Sequence, residues 1–157
     1  MTESLVHGTC VVVDGRGILL LGPSGSGKSD LALRLIDGGA LLVADDQVAL
    51  ARDDRVNPFG LIASAPEKIR GMIDVRGVGI VAVETVAKAA LSLVVELTTP
   101  DLIERMPKNA SWRFLGIEIP MILLAPFEAS ATAKLRLAGR APNMNDGAMT
   151  DTADPKS

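Results

Sequence analysis

The fold of this chain is decided by one stretch, Gly22-Pro23-Ser24-Gly25-Ser26-Gly27-Lys28-Ser29, which fits the pattern G-x-x-x-x-G-K-[ST] at every fixed position. Glycines at these positions let backbone N–H groups converge on phosphate oxygens, while the lysine places a positive charge on the β- and γ-phosphates. The closing hydroxyl, that of Ser29, is a ligand of the kind that Mg²⁺ takes beside a bound phosphate. We therefore predict a nucleotide- or phosphate-binding loop. The alternative is a flexible glycine turn that binds nothing.

The flanking residues favour the phosphate loop. An apolar run at residues 18–21 stops at the first glycine, and a helix-compatible run of leucines follows the lysine and closes at Gly38-Gly39. Upstream, residues 5–13 are rich in β-branched side chains, and the turn residues 14–17 separate them from the next run, which predicts a β-hairpin. Strand, glycine loop and helix thus follow one another, as in an α/β fold.

The remaining chain alternates short apolar runs with turns. Runs at residues 40–44, 47–51, 91–98 and 117–124 predict further strands, with a second, acidic hairpin in the first part of this region. Residues 129–137 predict a final helix. We expect one domain over residues 1–138, and a disordered tail over residues 139–157, because the tail has almost no large apolar side chain with which to offset the entropy of ordering.

Composition narrows the class of protein. The 157 residues are 48% hydrophobic and carry a net charge of −3, which favours a globular chain and argues against a basic nucleic-acid-binding face. No apolar run approaches the ~20 residues of a membrane span, and no secretory signal is present, so we expect no membrane association. The single cysteine, Cys10, excludes an intramolecular disulfide and fits a reducing cytoplasm.

Two adjacent acids, Asp45-Asp46, follow the apolar run at residues 40–44. Residues at the carboxyl end of a strand beside the loop strand face the same crevice as the phosphates. We therefore predict that these carboxylates reach the metal or the nucleophile. The alternative is a solvated turn, in which aspartate is common.

Three further residues are candidates on weaker grounds. His7 lies on the strand paired by the first hairpin, upstream of the loop, and a lone histidine is more often structural or exposed than functional. Asp74 and Arg76 alternate along a presumed strand, which places an acid beside a guanidinium; a surface ion pair is the alternative. Glycines and β-branched residues mix over residues 73–83, which indicates backbone bends or close approach to something bound.

Four blocks in order and spacing resemble the catalytic domain of bacterial HPr kinase/phosphorylase. They are Val6-His7-Gly8, the loop at residues 22–29, Leu42-Val43-Ala44-Asp45-Asp46, and Ile73-Asp74-Val75-Arg76-Gly77-Val78-Gly79-Ile80. The resemblance covers about residues 6–137 and implies a P-loop kinase domain of the HPr kinase/phosphoenolpyruvate carboxykinase type, with a mixed sheet and flanking helices. The resemblance implies that longer family members carry an additional N-terminal domain, and we expect this chain to begin at the catalytic domain.

The resemblance also implies an activity. Members of this family use ATP and Mg²⁺ to phosphorylate a serine of HPr, the small phosphocarrier of the sugar phosphotransferase system, and they form hexamers. We accordingly expect a cytoplasmic protein-serine kinase with HPr as its partner, and self-association of the chain.

The resemblance assigns roles residue by residue. Asp46 matches the general base, His7 an active-site histidine near that carboxylate, and Arg105 a further active-site arginine. Lys28 matches the phosphate-binding lysine and Ser29 the Mg²⁺ ligand. Three further residues complete the predicted site: Arg76 as a catalytic guanidinium, and Asp45 and Asp74 as metal ligands.

Two positions depart from the family pattern. Asp74 stands where the family usually has glutamate, so a metal contact there is direct or passes through a water. Members that reverse the reaction have a proline- and arginine-rich loop late in the domain, whereas residues 119–127 here read IPMILLAPF. Because these arginines are absent, the interpretation favours kinase activity alone.

Two other functions fit the same loop. One is a kinase or hydrolase of a small molecule. The other is a regulatory module that binds ATP and a partner without transferring phosphate. The acidic pair and Arg76 weigh against the second.

Overall fold

A computed structural model of the chain describes residues 3–66 and 71–140. Its strands are β1 (Glu3–His7), β2 (Thr9–Val13), β3 (Arg16–Leu21), β4 (Leu41–Ala44), β5 (Gln47–Arg52), β6 (Leu61–Ser64), β7 (Met72–Val75), β8 (Gly79–Ala82), β9 (Lys88–Leu97), β10 (Ala110–Phe114) and β11 (Ile117–Leu124). Its helices are α1 (Lys28–Asp37) and α2 (Ala131–Arg140), with a short 3-10 helix at Pro100–Leu102.

The long strand β9 joins two parts of one mixed sheet. Its first residues pair antiparallel with β6, which continues to β5 and β1. Its later residues pair parallel with β3 on one side and with β11 on the other. Beyond β3 the order continues to β2 and then β4, and β10 pairs antiparallel with β11. The strands β7 and β8 form a separate hairpin. The predicted α/β fold with a mixed sheet is thus confirmed.

The first predicted hairpin is present as β2 and β3. Its two-residue turn, Asp14-Gly15, has φ of 51° and 80°. Positive φ at both central residues is the geometry that matches the twist of the flanking strands, and Asp-Gly is a preferred pair for it. The second predicted hairpin, expected from the runs at residues 40–44 and 47–51, is wrong, because β4 and β5 pair with different strands. Strand β5 instead forms a hairpin with β6 across residues 53–60.

The strand expected over residues 5–13 is broken at Gly8. A Cβ at that position would lie 2.8 Å from the carbonyl oxygen of Leu20, so only glycine allows this close approach. Before the break β1 pairs with β5, and after it β2 pairs with β4. The facing strands are interrupted at the same level: β4 ends at Ala44 and β5 begins at Gln47, with Asp45 and Asp46 between them. His7 therefore faces Gln47 across the sheet, rather than lying in the hairpin with β3.

Two apolar clusters lie on opposite faces of the central strands. Leu31 and Leu35 of α1 and Leu135 of α2 pack on one face, with Ile18 and Leu20 of β3. The other face is covered by the β5 and β6 part of the sheet, against which Leu19 packs. Because β3 is buried on both faces, it is a continuous apolar run rather than an alternating one.

The last described element is longer than the sequence predicts. Helix α2 extends to Arg140, so Gly139 and Arg140 of the expected tail are helical. The rest of that expected tail, residues 141–157, lies outside the described residues. Each of the two α-helices in the described ranges has ten residues, too few to cross a bilayer.

Two leucines of α2 allow a direct test of how this helix packs. Leu135 is fully buried, whereas Leu137 is 58% exposed. Replacing Leu135 by alanine should lower the free energy of unfolding by about 2–5 kcal/mol, because it removes buried methyl groups and leaves a cavity. The same truncation at Leu137 should change it by no more than about 0.5 kcal/mol. Urea unfolding of both variants provides the measurement, and equal losses would contradict the packing of α2.

Candidate active site

The phosphate-loop pattern forms a loop between β3 and α1. Gly22, Gly25 and Gly27 have φ of 156°, 83° and 102°, a region that other residues rarely adopt. At Gly22 a Cβ would also lie 2.5 Å from Ser26 Oγ. Helix α1 begins at Lys28, and the Leu31 N–H donates to the Gly27 carbonyl at 2.9 Å. The first N–H groups of the helix have no partner within the helix, so they are available to an anion at the loop.

Lys28 is held inside the loop. Its side chain is nearly buried, and Nζ donates to the carbonyl oxygens of Gly22 at 2.6 Å and Pro23 at 3.0 Å. Burial lowers the pKa of Lys28 below its usual value, and the nearby charges of Asp45 and Asp46 act in the opposite direction. The ammonium therefore lies between the loop and the acidic pair.

Asp45 is the buried member of the acidic pair. Its carboxylate accepts hydrogen bonds from Thr9 Oγ1 at 2.7 Å, from Ser29 Oγ at 2.9 and 3.1 Å, and from the Asp74 N–H at 3.3 Å. These donors belong to β2, α1 and β7. In each of these contacts the carboxylate oxygens accept, so donors from three elements satisfy this buried side chain.

Asp46 is the exposed member. Its φ of 73° is in the left-handed region, and its carbonyl accepts the Gly8 N–H at 3.0 Å. A non-glycine residue in this conformation stores backbone strain of about 1–3 kcal/mol, which is typical of functional positions. The carboxylate is 71% exposed and lies 3.6 Å from His7 Nδ1. It is accessible to a molecule that enters from solvent.

A cleft of about 700 Å³ joins these groups. Its lining contains ten of the predicted site residues: His7, Ser24, Gly25, Gly27, Lys28, Ser29, Asp45, Asp46, Asp74 and Arg76. The β7–β8 hairpin forms one wall and contributes Asp74 and Arg76, and no ion pair joins these two described residues. Phe127 also lines the cleft.

Four predicted site residues do not line the cleft. Gly22, Pro23 and Ser26 belong to the loop itself, where the first two supply the carbonyls that hold Lys28 and the Ser26 N–H donates to the Pro23 carbonyl at 3.0 Å. Arg105 lies in the segment between the 3-10 helix and β10 and is not among the lining residues. The structure thus does not bring Arg105 to the predicted site.

The donors at the loop fit Mg²⁺ bound together with a phosphate. No group of three or more His, Cys, Asp or Glu side chains within residues 3–66 and 71–140 forms a metal cage. Mg²⁺ does not need such a cage, since it commonly takes one or two carboxylates and completes its shell with phosphate oxygens and water. The Ser29 hydroxyl and the Asp45 carboxylate lie side by side and would supply two oxygen ligands of this kind. Asp74, whose N–H donates to Asp45, is the adjacent acid.

The family follows from the match over this whole region. The family model described as the HPr Serine kinase C-terminal domain matches residues 1–136, which include every element of the cleft. The chain belongs to this family. The resemblance inferred from the four sequence blocks is therefore confirmed, and with it the P-loop kinase fold of the HPr kinase type.

Named relatives agree with this assignment. The HPr kinase/phosphorylase of Caldicellulosiruptor bescii is 37% identical over 129 residues, which are 75% of this chain and 40% of that protein. The HPr kinase/phosphorylase of Bordetella pertussis is 37% identical over 130 residues, which are 76% of this chain and 41% of that protein. The matched region thus spans about two-fifths of the length of these curated relatives.

A solved structure shares the whole architecture. The structure of the Hpr(Ser) kinase/phosphatase from Coxiella burnetii superposes with a TM-score of 0.76 at 28% identity, covering 90% of this chain and 99% of that one. The similarity over 99% of the solved chain shows that the two proteins share the overall fold described above.

The acidic pair lies at the phosphate loop as the sequence predicts, but the order of the strands differs from the prediction. The prediction placed the pair on a strand beside β3, whereas β2 lies between β3 and β4. Since β4 is antiparallel to β2 and β2 antiparallel to β3, β4 runs parallel to β3 and ends at the same edge of the sheet. The carboxylates therefore still reach the loop.

Thr9 and Phe127 are two lining residues that the sequence did not identify. Thr9 follows the family block Val6-His7-Gly8, and its position one residue past the glycine was the available signal. Phe127 ends the apolar stretch at residues 119–127, and nothing in the pattern of that stretch pointed to the cleft.

The hydrogen bond from Thr9 to Asp45 can be tested without reference to activity. Replacing Thr9, which is fully buried, by valine keeps the shape and removes the hydroxyl. We expect the free energy of unfolding to fall by about 1–3 kcal/mol, because the buried carboxylate loses a donor. Thr99 is a matched control: it is exposed and its side chain makes no capping hydrogen bond, so Thr99→Val should change stability by no more than about 0.5 kcal/mol. Equal effects in denaturant unfolding would exclude a structural role for the Thr9 hydroxyl.

Proposed function

We propose that this chain is an ATP- and Mg²⁺-dependent protein-serine kinase that phosphorylates HPr. The observation that carries the proposal is the position of the exposed Asp46 carboxylate beside a phosphate loop whose lysine is buried. A base that is open to solvent can receive a hydroxyl presented by another protein. The relatives' names, HPr kinase/phosphorylase, supply the identity of that protein.

The proposed transfer joins the serine oxygen to the γ-phosphorus and breaks the bond between that phosphorus and the β,γ-bridging oxygen. Asp46 accepts the hydroxyl proton, and the leaving ADP carries the electrons of the broken bond. His7, 3.6 Å away, orients the carboxylate. Phosphoryl transfer depends mainly on positioning and on neutralising charge, so this reaction requires little beyond a base, a loop and cations.

Charge neutralisation is assigned to groups that already lie at the loop. Lys28 exchanges its carbonyl partners in the loop for phosphate oxygens, and Arg76 provides a second positive charge from the β7–β8 wall. Mg²⁺, held by Ser29 and Asp45 with Asp74 adjacent, would neutralise charge on the β- and γ-phosphates. Arg105 is not among the lining residues and takes no part in the proposed mechanism.

The proposal is limited to the kinase direction. Residues 117–124 form β11 and continue as the apolar segment Ala125-Pro126-Phe127, without the arginines that accompany the reverse reaction in the family. A cytoplasmic location and self-association into hexamers follow from the family resemblance and stay predictions.

Mass spectrometry of HPr tests the function directly. HPr incubated with this protein, ATP and Mg²⁺ should gain one phosphate on a serine, and a second incubation with inorganic phosphate should leave it in place. Unmodified HPr, with ATP consumed in the presence of a small molecule, would indicate a small-molecule kinase or hydrolase instead. ATP bound tightly without any product would indicate a regulatory module.

Replacing Asp46 by asparagine tests the base. We expect ATP affinity close to that of the unmodified chain and a transfer rate lower by ~10²–10⁴, the usual contribution of a general base. Asp37, an exposed residue at the end of α1, provides a control with the same loss of charge, and Asp37→Asn should transfer phosphate at the original rate. Undiminished turnover of Asp46→Asn would remove that residue from the mechanism.

Substitutions of Ser29 test the Mg²⁺ ligand. Ser29→Ala removes the hydroxyl, while Ser29→Thr keeps it and stays within the loop pattern. Since even groups behind the metal ligands are worth 10–100-fold, we expect Ser29→Ala to weaken Mg²⁺-dependent ATP binding at least about tenfold. Calorimetric titrations with Mg²⁺ and with a chelator separate the effects, because the loss should vanish without the metal. A Thr variant as weak as the Ala variant would contradict the assignment.

A further inference from the structure

One aromatic residue that lines the cleft, Phe127, has no role in the transfer described above. Phe127 is 71% exposed. Single exposed apolar side chains are common on protein surfaces and need no explanation. Phe127 differs in that its backbone is anchored and its ring lies against the phosphate loop.

The three residues just before Phe127 provide the anchoring. Leu124 and Ala125, which precede it, are buried, and the guanidinium of Arg34 on α1 donates to the carbonyl oxygen of Pro126. Arg34 is itself paired with Asp30 one turn earlier in the same helix. The helix that carries the phosphate loop therefore also holds the segment that carries Phe127.

The ring is in contact with the loop. A Cβ at Gly27 would lie 2.9 Å from Phe127 Cζ and 3.3 Å from Pro126 Cγ. Position 27 must therefore be glycine for two reasons, its φ of 102° and the nearness of this ring. Phosphates held by the loop amides would lie directly beside Phe127.

The sheet order places Phe127 and Asp46 on opposite sides of the loop. Strand β4, which leads to Asp46, lies two strands from β3 in one direction, and β11, which leads to Phe127, lies two strands from β3 in the other. All three strands are parallel, so they end at the same edge, and β4 and β11 are about 19 Å apart at ~4.8 Å per strand. If the γ-phosphate faces Asp46, the ribose and base must leave the loop toward Phe127.

We propose that Phe127 is the platform on which the nucleobase of the bound nucleotide stacks. An aromatic face recognises the π-face that every base has, and phenylalanine adds no hydrogen bond that selects among them. Phe127 therefore contributes affinity for nucleotides over inorganic phosphates, without selecting adenine over guanine. This inference rests on the proposed function, since it requires a nucleoside triphosphate at the loop.

Paired titrations of ATP and inorganic tripolyphosphate, each with Mg²⁺, test the inference on the full chain. Stacking on an aromatic side chain is worth about 5–100-fold in affinity, so Phe127→Ala should weaken ATP and GTP binding about tenfold or more. Tripolyphosphate has no base, and its affinity should be unchanged. Leu137→Ala truncates another exposed apolar side chain, on α2 and not among the lining residues, and should alter neither titration.

A fluorescent variant supplies a second measurement. The only tryptophan of the chain, Trp112, stacks on Phe114 with ring centroids 5.0 Å apart, so Trp112→Phe removes its signal and keeps an aromatic pair. In that background, Phe127→Trp should retain ATP affinity, and its emission should change on adding ATP but not on adding tripolyphosphate.

The outcomes separate this inference from the proposed function. Equal losses of ATP and tripolyphosphate affinity in Phe127→Ala, or no loss of either, would overturn the stacking role. An altered KM for HPr with unchanged ATP affinity would overturn it too, since Phe127 would then contact the protein substrate. Lys28→Ala tests the loop itself and should abolish binding of both ATP and tripolyphosphate. If this variant still binds them, the assignment of the nucleotide site to the loop is wrong, and the result does not bear on the role of Phe127.

Discussion

A buried carboxylate, that of Asp45, connects the parts of this molecule that must meet for a phosphate site to exist. It accepts hydrogen bonds from the hydroxyls of Thr9 and Ser29 and from the N–H of Asp74, which lie on a strand, the loop helix and the β7–β8 hairpin. An ionised carboxylate removed from water is costly unless it is paired and hydrogen-bonded. The hydrogen bonds to Asp45 therefore fix the positions of these three elements relative to one another, and those positions shape the cleft.

The neighbouring acid is presented in the opposite sense. A left-handed backbone conformation directs the Asp46 side chain outward. The Asp46 carbonyl accepts a hydrogen bond from the N–H of Gly8, the residue at which the facing strand is broken. The two acids thus have different roles: Asp45 is buried among donors and organises the loop, and Asp46 faces solvent beside His7. The strain at Asp46 is maintained because the strands on either side of the bend are paired along their length.

The cleft is asymmetric for a topological reason. Strands β4 and β11 lie on opposite sides of β3 and end at the same edge, so the polar groups gather at one end and the segment with Phe127 at the other. Arg34 and Gly27 connect the apolar end to the loop helix. A molecule with a charged end and a flat apolar end matches this arrangement, and nucleoside triphosphates have that form.

The sequence by itself determined the phosphate loop, the acidic pair and the first hairpin, because each depends on local chemistry: glycine φ angles, an N-terminal helix turn, and an Asp-Gly turn. It also carried enough of the family pattern to indicate the HPr kinase fold. Only the tertiary structure decided that Gly8 splits a strand, that β2 lies between the loop strand and β4, that Thr9 and Phe127 reach the cleft, and that Arg105 does not line it. Strand order and side-chain convergence arise from pairings between distant segments, and local residue patterns hold no information about which segments pair.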